Sequence, residues 1–209
     1  MTDRTAAGPT AIEVFYDYSC PYAYAGSNWL REVRAALGDS LAITWRMFSL
    51  EQVNSELGED WKIWEQPIEH TSKGIDGFRA ALAARRQGDE AFEAFHFAWF
   101  EARHGESASA RRPTPRSIAQ GLGFDMTRFD VDAADPTLWA ALGEDHARGV
   151  REFGVFGVPT FVFPGGEAAY IRMRPALTGS DAAEGWREFV QTVVGRPTIA
   201  EIKRPTKPK

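Results

Sequence analysis

Among its 209 residues the chain has one cysteine, Cys20, so it cannot form a disulfide bond within itself. This cysteine usage gives no indication of a secreted, disulfide-stabilised protein. Residues 1–9 lack the apolar core of a signal peptide, and no apolar run approaches the length of a membrane span. We therefore expect a cytoplasmic protein with no membrane partner.

A basic surface and a metal-binding pattern are also missing. The formal net charge is −5, which provides no basic face for nucleic acid. The glycines of the segment 154–157 match neither a phosphate-binding loop nor a dinucleotide-binding turn. No metal site is predicted, because the histidines show neither i, i+4 pairing nor clustering; they are His70, His96, His104 and His146.

The first part of the chain predicts a β-α-β unit. Residues 12–18 are β-branched and aromatic, and residues 41–48 alternate in polarity, so both segments predict strands. Between them, residues 27–37 have helical spacing and end at Gly38, and Pro21 suits a first helical position. Two strands joined by a helix crossover imply a parallel pair.

The middle of the chain predicts helices without strands. Residues 75–86 and 90–103 have helical periodicity, and a short helix is predicted from Thr114 or Pro115 through residue 122. A long helix is predicted to about residue 152, with Asp135 as its N-cap and Pro136 at its first position.

The last part predicts a hairpin and one helix. An apolar strand precedes the turn residues 164–166, residues 168–173 form the return strand, and residues 182–194 form a helix capped by Ser180 or Asp181. This order predicts an α/β, thioredoxin-like fold with a helical insertion. The expected parts are a thioredoxin-like domain (10–62 and 153–196), a helical insertion (63–152) and a flexible basic tail (197–209).

Three features together resemble the DsbA-like branch of the thioredoxin superfamily. They are the segment 17–24 around Cys20, the Gly-Val-Pro-Thr segment within 157–162, and the order of the elements, and they cover roughly residues 11–195. The oxidoreductases of this family carry a second cysteine where this chain has Ala23. Segment 20–24 is instead similar to the Ser-Pro-Tyr-Ala-Tyr stretch of 2-hydroxychromene-2-carboxylate isomerases, relatives of the kappa-class glutathione transferases.

Cys20 is the candidate nucleophile. It lies at a strand-to-helix turn with Pro21 behind it, and the N–H groups and dipole at a helix N-terminus favour a thiolate over a thiol. The alternative is a buried, inert cysteine. Tyr22 and Tyr24 follow on the same segment, and each could hydrogen-bond a substrate or simply pack.

The resemblance implies two further binding elements. Pro159 would follow a cis bond and lie against the active sulfur, presenting the backbone of Val158 to a bound thiol; an ordinary trans proline is the alternative. Ser180 and Asp181 are similar to the element that holds the γ-glutamyl end of glutathione, or form a plain N-cap. The relatives usually follow that aspartate with arginine, whereas this chain has Ala182.

Three hypotheses about function follow. The preferred one is a DsbA-like monothiol oxidoreductase in which Cys20 forms a mixed disulfide with a small thiol, acting on a small molecule or a protein thiol. The second is a thiol-dependent isomerase or transferase acting on an aromatic substrate, and the third is a non-catalytic binding protein. No tightly bound cofactor is expected, and glutathione or mycothiol is the candidate co-substrate. The oligomeric state stays open, with a homodimer among the alternatives.

Overall fold

The strands and helices follow the predicted order. The computed structural model describes residues 10–72, 74–106 and 113–204. The strands in these ranges are β1 (Thr10–Tyr16), β2 (Leu41–Met47), β3 (Thr160–Val162) and β4 (Ala168–Tyr170). The α-helices in these ranges are α1 (Pro21–Leu37), α2 (Leu50–Val53), α3 (Ile75–Arg86), α4 (Asp89–His104), α5 (Pro115–Gly121), α6 (Met126–Ala134), α7 (Pro136–Phe153) and α8 (Gly179–Val193).

The four strands form one mixed sheet in the order β2-β1-β3-β4. β1 runs parallel to β2 along its whole length, and β3 pairs antiparallel with both β1 and β4. This topology confirms the predicted thioredoxin-like class with inserted helices between β2 and β3. β1 spans residues 10–16 and not the predicted 12–18; it ends two residues earlier because the chain turns at Asp17, whose carbonyl accepts the Cys20 N–H at 3.0 Å.

Proline and aspartate set the starts of the two longest helices. Pro21 is the first residue of α1, where its missing N–H costs no intrahelical bond. Asp135 caps α7 as predicted, because its carboxylate accepts the Thr137 N–H at 2.8 Å. α7 ends where Gly154 takes a left-handed conformation with φ of 63°, which glycine adopts without steric cost.

The sequence-based prediction missed two short helices, α2 and α6, and misassigned one cap. α6 has only nine residues and buries a single one, Phe129, so the apolar pattern that would predict it is short. The N-cap of α8 is Thr178, not Ser180 or Asp181; these two residues lie in the exposed first turn, because the helix begins earlier, at Gly179.

The inserted helices and the sheet share one hydrophobic core. It runs from Phe15 and Phe161 on the strands to Phe78 on α3 and Phe100 on α4. α3 also lies against α5, α6 and α7. Of the predicted tail, residues 197–204 contain neither helix nor strand, and residues 205–209 lie outside the described ranges. No described helix is long and apolar enough to cross a membrane.

We predict that Gly77→Ala destabilises the protein. A Cβ at position 77 of α3 would overlap the Trp99 indole and lie 2.9 Å from a ring carbon of Tyr18, and Tyr18 is fully buried. Overpacking of this kind costs about 1–3 kcal/mol. Urea denaturation should show this loss in the free energy of unfolding. Gly121→Ala is the control, since nothing lies within 4 Å of its added Cβ; equal loss in both variants would contradict the prediction.

Candidate functional site

Cys20 lies where the N-terminus of α1 meets the loop before β3. Its Sγ donates a hydrogen bond to the carbonyl oxygen of Val158, 3.4 Å away, although the two residues are 138 positions apart. Cys20 is the N-cap of α1, and its carbonyl accepts the Tyr24 N–H at 3.1 Å. The residue is only 6% exposed. The fold therefore joins the two sequence segments that carry the candidate site.

A glycine in α1 allows this loop to approach the helix. The Val158–Pro159 peptide bond is cis, and a Cβ at Gly26 would lie 2.9 Å from Cγ of Pro159. Thr160 Oγ1 donates to the carbonyl of Gly157 at 2.7 Å, which closes the loop on its other side. Pro159 therefore packs directly on the helix that carries the sulfur.

Burial and the helix N-terminus act in opposite directions on the pKa of the Cys20 thiol. Burial raises the pKa of this thiol above its ordinary value, and the backbone N–H groups of Ala23 and Tyr22 at the helix start offset only part of that increase. Asp17 raises the pKa further by charge repulsion, and Arg172 lowers it. The helix N-terminus acts in the predicted direction, but desolvation outweighs it, so the net shift in the pKa is opposite to the predicted one.

Asp17 shapes the turn in front of Cys20, a role that the sequence did not suggest. Its buried carboxylate accepts the N–H groups of Ser19 and Leu50, each at 2.7 Å. Burial raises the pKa of this carboxyl, and the two hydrogen bonds lower it. Because Leu50 begins α2, Asp17 ties the end of β1 to the segment that follows β2.

A group of larger side chains lies beside the sulfur, on the hairpin and on α1. The guanidinium carbon of Arg172 is 5.3 Å from the ring centroid of Tyr22. Tyr170 packs edge-on against Phe156, with ring centroids 5.0 Å apart, and Phe156 is 68% exposed. Burial raises the pKa of the Tyr170 hydroxyl, whose electrostatic neighbours include Arg172 and Cys20.

The pairing of β3 with β4 explains why these residues meet. Thr160 pairs with Tyr170, and the Ile171 N–H donates to the carbonyl of Pro159 at 3.3 Å, which continues the antiparallel ladder by one residue. Arg172 follows Ile171 and so comes directly after this last hydrogen bond to the Pro159 loop. Tyr170, Arg172 and Phe156 were not predicted as site residues; the alternation of residues 168–173 was the only signal for the first two, and it gives no register.

The remaining predicted residues lie at different distances from the sulfur. Pro21 and Tyr22 are partly buried and adjoin Cys20, whereas Tyr24 faces α4 and donates to Glu101 Oε2 at 2.7 Å. Its ring also lies near His104, 5.7 Å between centroids.

The predicted glutathione-binding pair lies at the start of α8. The Gly179 N–H there donates to Glu32 at 3.4 Å. At a rise of 1.5 Å per residue, Glu32 lies about 16 Å along α1 from Pro21, the first residue of that helix. Among the described residues, no hydrogen bond links Ser180 or Asp181 to Cys20 or Val158.

A large cavity among the described residues is separate from Cys20. It has a volume of about 1050 Å³ and lies between residues 64–68 and the outer face of α7. Trp64 lines it and packs against His146, with ring centroids 5.4 Å apart. None of its lining residues belongs to the group around the sulfur. In the described ranges, no cluster of three or more His, Cys, Asp or Glu side chains could hold a metal ion.

Comparisons with known proteins agree with this architecture. A family model for the DSBA-like thioredoxin domain matches residues 11–191. The protein Rv2286c of Mycobacterium tuberculosis is 30% identical over 200 residues, which cover 95% of this chain and 84% of that protein.

Two solved structures have a similar fold. The oxidoreductase DsbA of Xylella fastidiosa is 20% identical and superposes with a TM-score of 0.56 over 92% of this chain and 88% of that one. A 2-hydroxychromene-2-carboxylate isomerase is 17% identical, with a TM-score of 0.59 over 90% of this chain and 96% of that one. The resemblance seen in the sequence is confirmed, and the chain belongs to the DsbA-like thioredoxin-domain family.

Proposed function

We propose that this protein is a thiol oxidoreductase that works through Cys20 alone. The observation that carries this proposal is the contact between Cys20 Sγ and the Val158 carbonyl at the start of α1. Ala23 is buried at the helical position where oxidoreductases of the family have their second cysteine. A small thiol such as glutathione or mycothiol then supplies the second sulfur, and the predicted cytoplasmic location would provide it.

The exchange balances in two steps. The Cys20 thiolate attacks one sulfur of a small disulfide, forms the mixed disulfide and releases one small thiolate. A second small thiolate attacks the small-molecule sulfur of the mixed disulfide, which re-forms the small disulfide and releases the Cys20 thiolate. With a protein or substrate disulfide as the first partner, Cys20 forms a mixed disulfide with one substrate sulfur and releases the other as a thiolate. One small thiolate then attacks the Cys20 sulfur and releases the second substrate thiolate, and a second small thiolate releases Cys20 as the small disulfide forms, so three steps reduce the substrate disulfide and oxidise two small thiols.

The neutral state of Cys20 sets the speed of this cycle. Only the thiolate attacks, so the first step is slow at neutral pH for a thiol whose pKa burial has raised. A thiol of raised pKa is also a poor leaving group, so the second step is slow and the mixed disulfide is long-lived. The proposed enzyme is therefore a slow exchanger with a persistent adduct, unlike a rapid dithiol oxidase.

The same neutral thiol favours a second candidate function. A protonated Cys20 already donates a hydrogen bond to a carbonyl and could donate one to a bound thiol or substrate instead. In this role it would resemble the serine of the isomerase relatives, and the chemistry would be a thiol-dependent isomerisation or transfer without oxidation of the protein.

We predict that oxidised glutathione modifies Cys20. Intact-protein mass spectrometry after incubation should show one glutathione adduct, and peptide mapping should place it on Cys20, the only cysteine of the chain. A second small thiol in excess should remove the adduct slowly. A sulfur that stays unmodified, even at alkaline pH, would contradict the proposed oxidoreductase function.

Cys20→Ser separates the two candidate functions. Oxidoreductase activity should be abolished in this variant, because a hydroxyl cannot form a mixed disulfide. Thiol-dependent isomerase or transferase activity should largely survive, because serine keeps a hydrogen-bond donor at the same place. If the protein that keeps Cys20 binds no small thiol, the result would instead favour a non-catalytic binding protein.

We further predict that the rate of Cys20 alkylation rises with pH and reaches half its maximum only at alkaline pH. Since burial raises the pKa of the thiol, the rate of alkylation by iodoacetamide should be low at pH 7. It should rise with pH to a midpoint above the value of about 8.5 for free cysteine. N-acetylcysteine amide, which has no carboxylate beside its thiol, is measured in parallel as the reference. A midpoint below that of the reference would show that the helix N-terminus outweighs burial.

A further inference from the structure

Arg172 is an exposed cation next to the reactive sulfur, and no salt bridge involves it among the described residues. Other arginines are paired: Arg34 with Glu93, Arg148 with Glu13, and Arg116 with Asp130. The guanidinium of Arg172 instead lies over the ring of Tyr22. Contact with an aromatic face leaves the in-plane N–H groups of a guanidinium available to an anion.

The pairing of β3 with β4 determines the position of Arg172. Arg172 follows Ile171, whose N–H donates to the carbonyl of Pro159, and Val158 before that proline accepts the hydrogen bond from Cys20 Sγ. Its charge reaches the sulfur, since it lowers the pKa of the Cys20 thiol. A molecule whose sulfur reacts with Cys20 must therefore place its neighbouring groups close to Arg172.

The negative groups near the sulfur do not neutralise this cation. The Asp17 carboxyl is buried and accepts two backbone N–H groups in the turn before Cys20. Glu101, on α4, accepts the hydroxyl of Tyr24. Arg172 therefore leaves a local positive charge near Cys20, in a chain whose net charge is −5.

We propose that Arg172 binds a carboxylate of the small thiol or disulfide that exchanges with Cys20. A planar guanidinium matches a carboxylate through two parallel hydrogen bonds. The inference rests on the proposed function and specifies its co-substrate: an anionic thiol such as glutathione, which carries carboxylates, rather than mycothiol, which carries none.

Two alkylating reagents of different charge test the anion preference directly. Iodoacetate and iodoacetamide consume the same Cys20 thiolate and release the same iodide, so the ratio of their rates cancels any change in the thiol pKa. Arg172→Gln should lower the ratio of iodoacetate to iodoacetamide about two- to fivefold, as expected for an ion pair near the surface. The effect should shrink at high ionic strength.

Two variants control this measurement. Arg187→Gln removes one positive charge from an exposed position on α8 and should leave the ratio unchanged. Arg172→Lys keeps the charge and should retain most of the preference. Urea denaturation of each variant checks that folding is intact. An unchanged ratio in a folded Arg172→Gln protein overturns the proposal, as does an equal fall in Arg187→Gln.

Two disulfides extend the test to the proposed chemistry. Adduct formation at Cys20 is followed by mass spectrometry with oxidised glutathione, which is anionic, and with bis(2-hydroxyethyl) disulfide, which is neutral. Arg172→Gln should slow the first reaction relative to the second. If both adducts form but the variant does not change their relative rates, the anion site is wrong and the oxidoreductase proposal stands. If neither forms, the oxidoreductase proposal fails.

Discussion

The close packing of Pro159 on Gly26 is the constraint on which the site depends. With a Cβ at position 26 only 2.9 Å from the proline ring, no larger residue fits without displacing the loop. This approach brings the Val158 carbonyl to the Cys20 sulfur and aligns β3 with β1. β3 in turn positions the hairpin that carries Arg172. A glycine in a helix interior is usually destabilising, but here it allows α1, the Val158 loop and β3 to pack together.

Two opposing effects act on the sulfur, and burial is the larger. The start of α1 supplies backbone N–H groups that stabilise a thiolate, as in any cysteine at a helix N-terminus. Cys20 is nevertheless enclosed by the Val158 loop and by the turn that Asp17 holds in place. The loop that could position a partner sulfur therefore also removes solvent from Cys20. Position at a helix start alone is a poor guide to thiol reactivity.

The sequence predicted the fold better than the surroundings of the site. Local signals were sufficient where they set the backbone, as with Pro21 at the start of α1 and Asp135 at the start of α7. The pKa of Cys20 was predicted in the wrong direction, because burial depends on contacts across 138 residues. Arg172 was missed for a similar reason: its place next to the Pro159 loop follows from the pairing of β4 with β3, which alternation alone leaves undetermined.

The buried Ala23 has a consequence for how this protein carries oxidation. A chain with two neighbouring cysteines can store a two-electron oxidation as an internal disulfide, and no other molecule becomes attached to it. With Cys20 as the only sulfhydryl, any disulfide of this protein is a covalent complex with another molecule. The oxidised protein therefore also carries, covalently bound, the molecule that oxidised it.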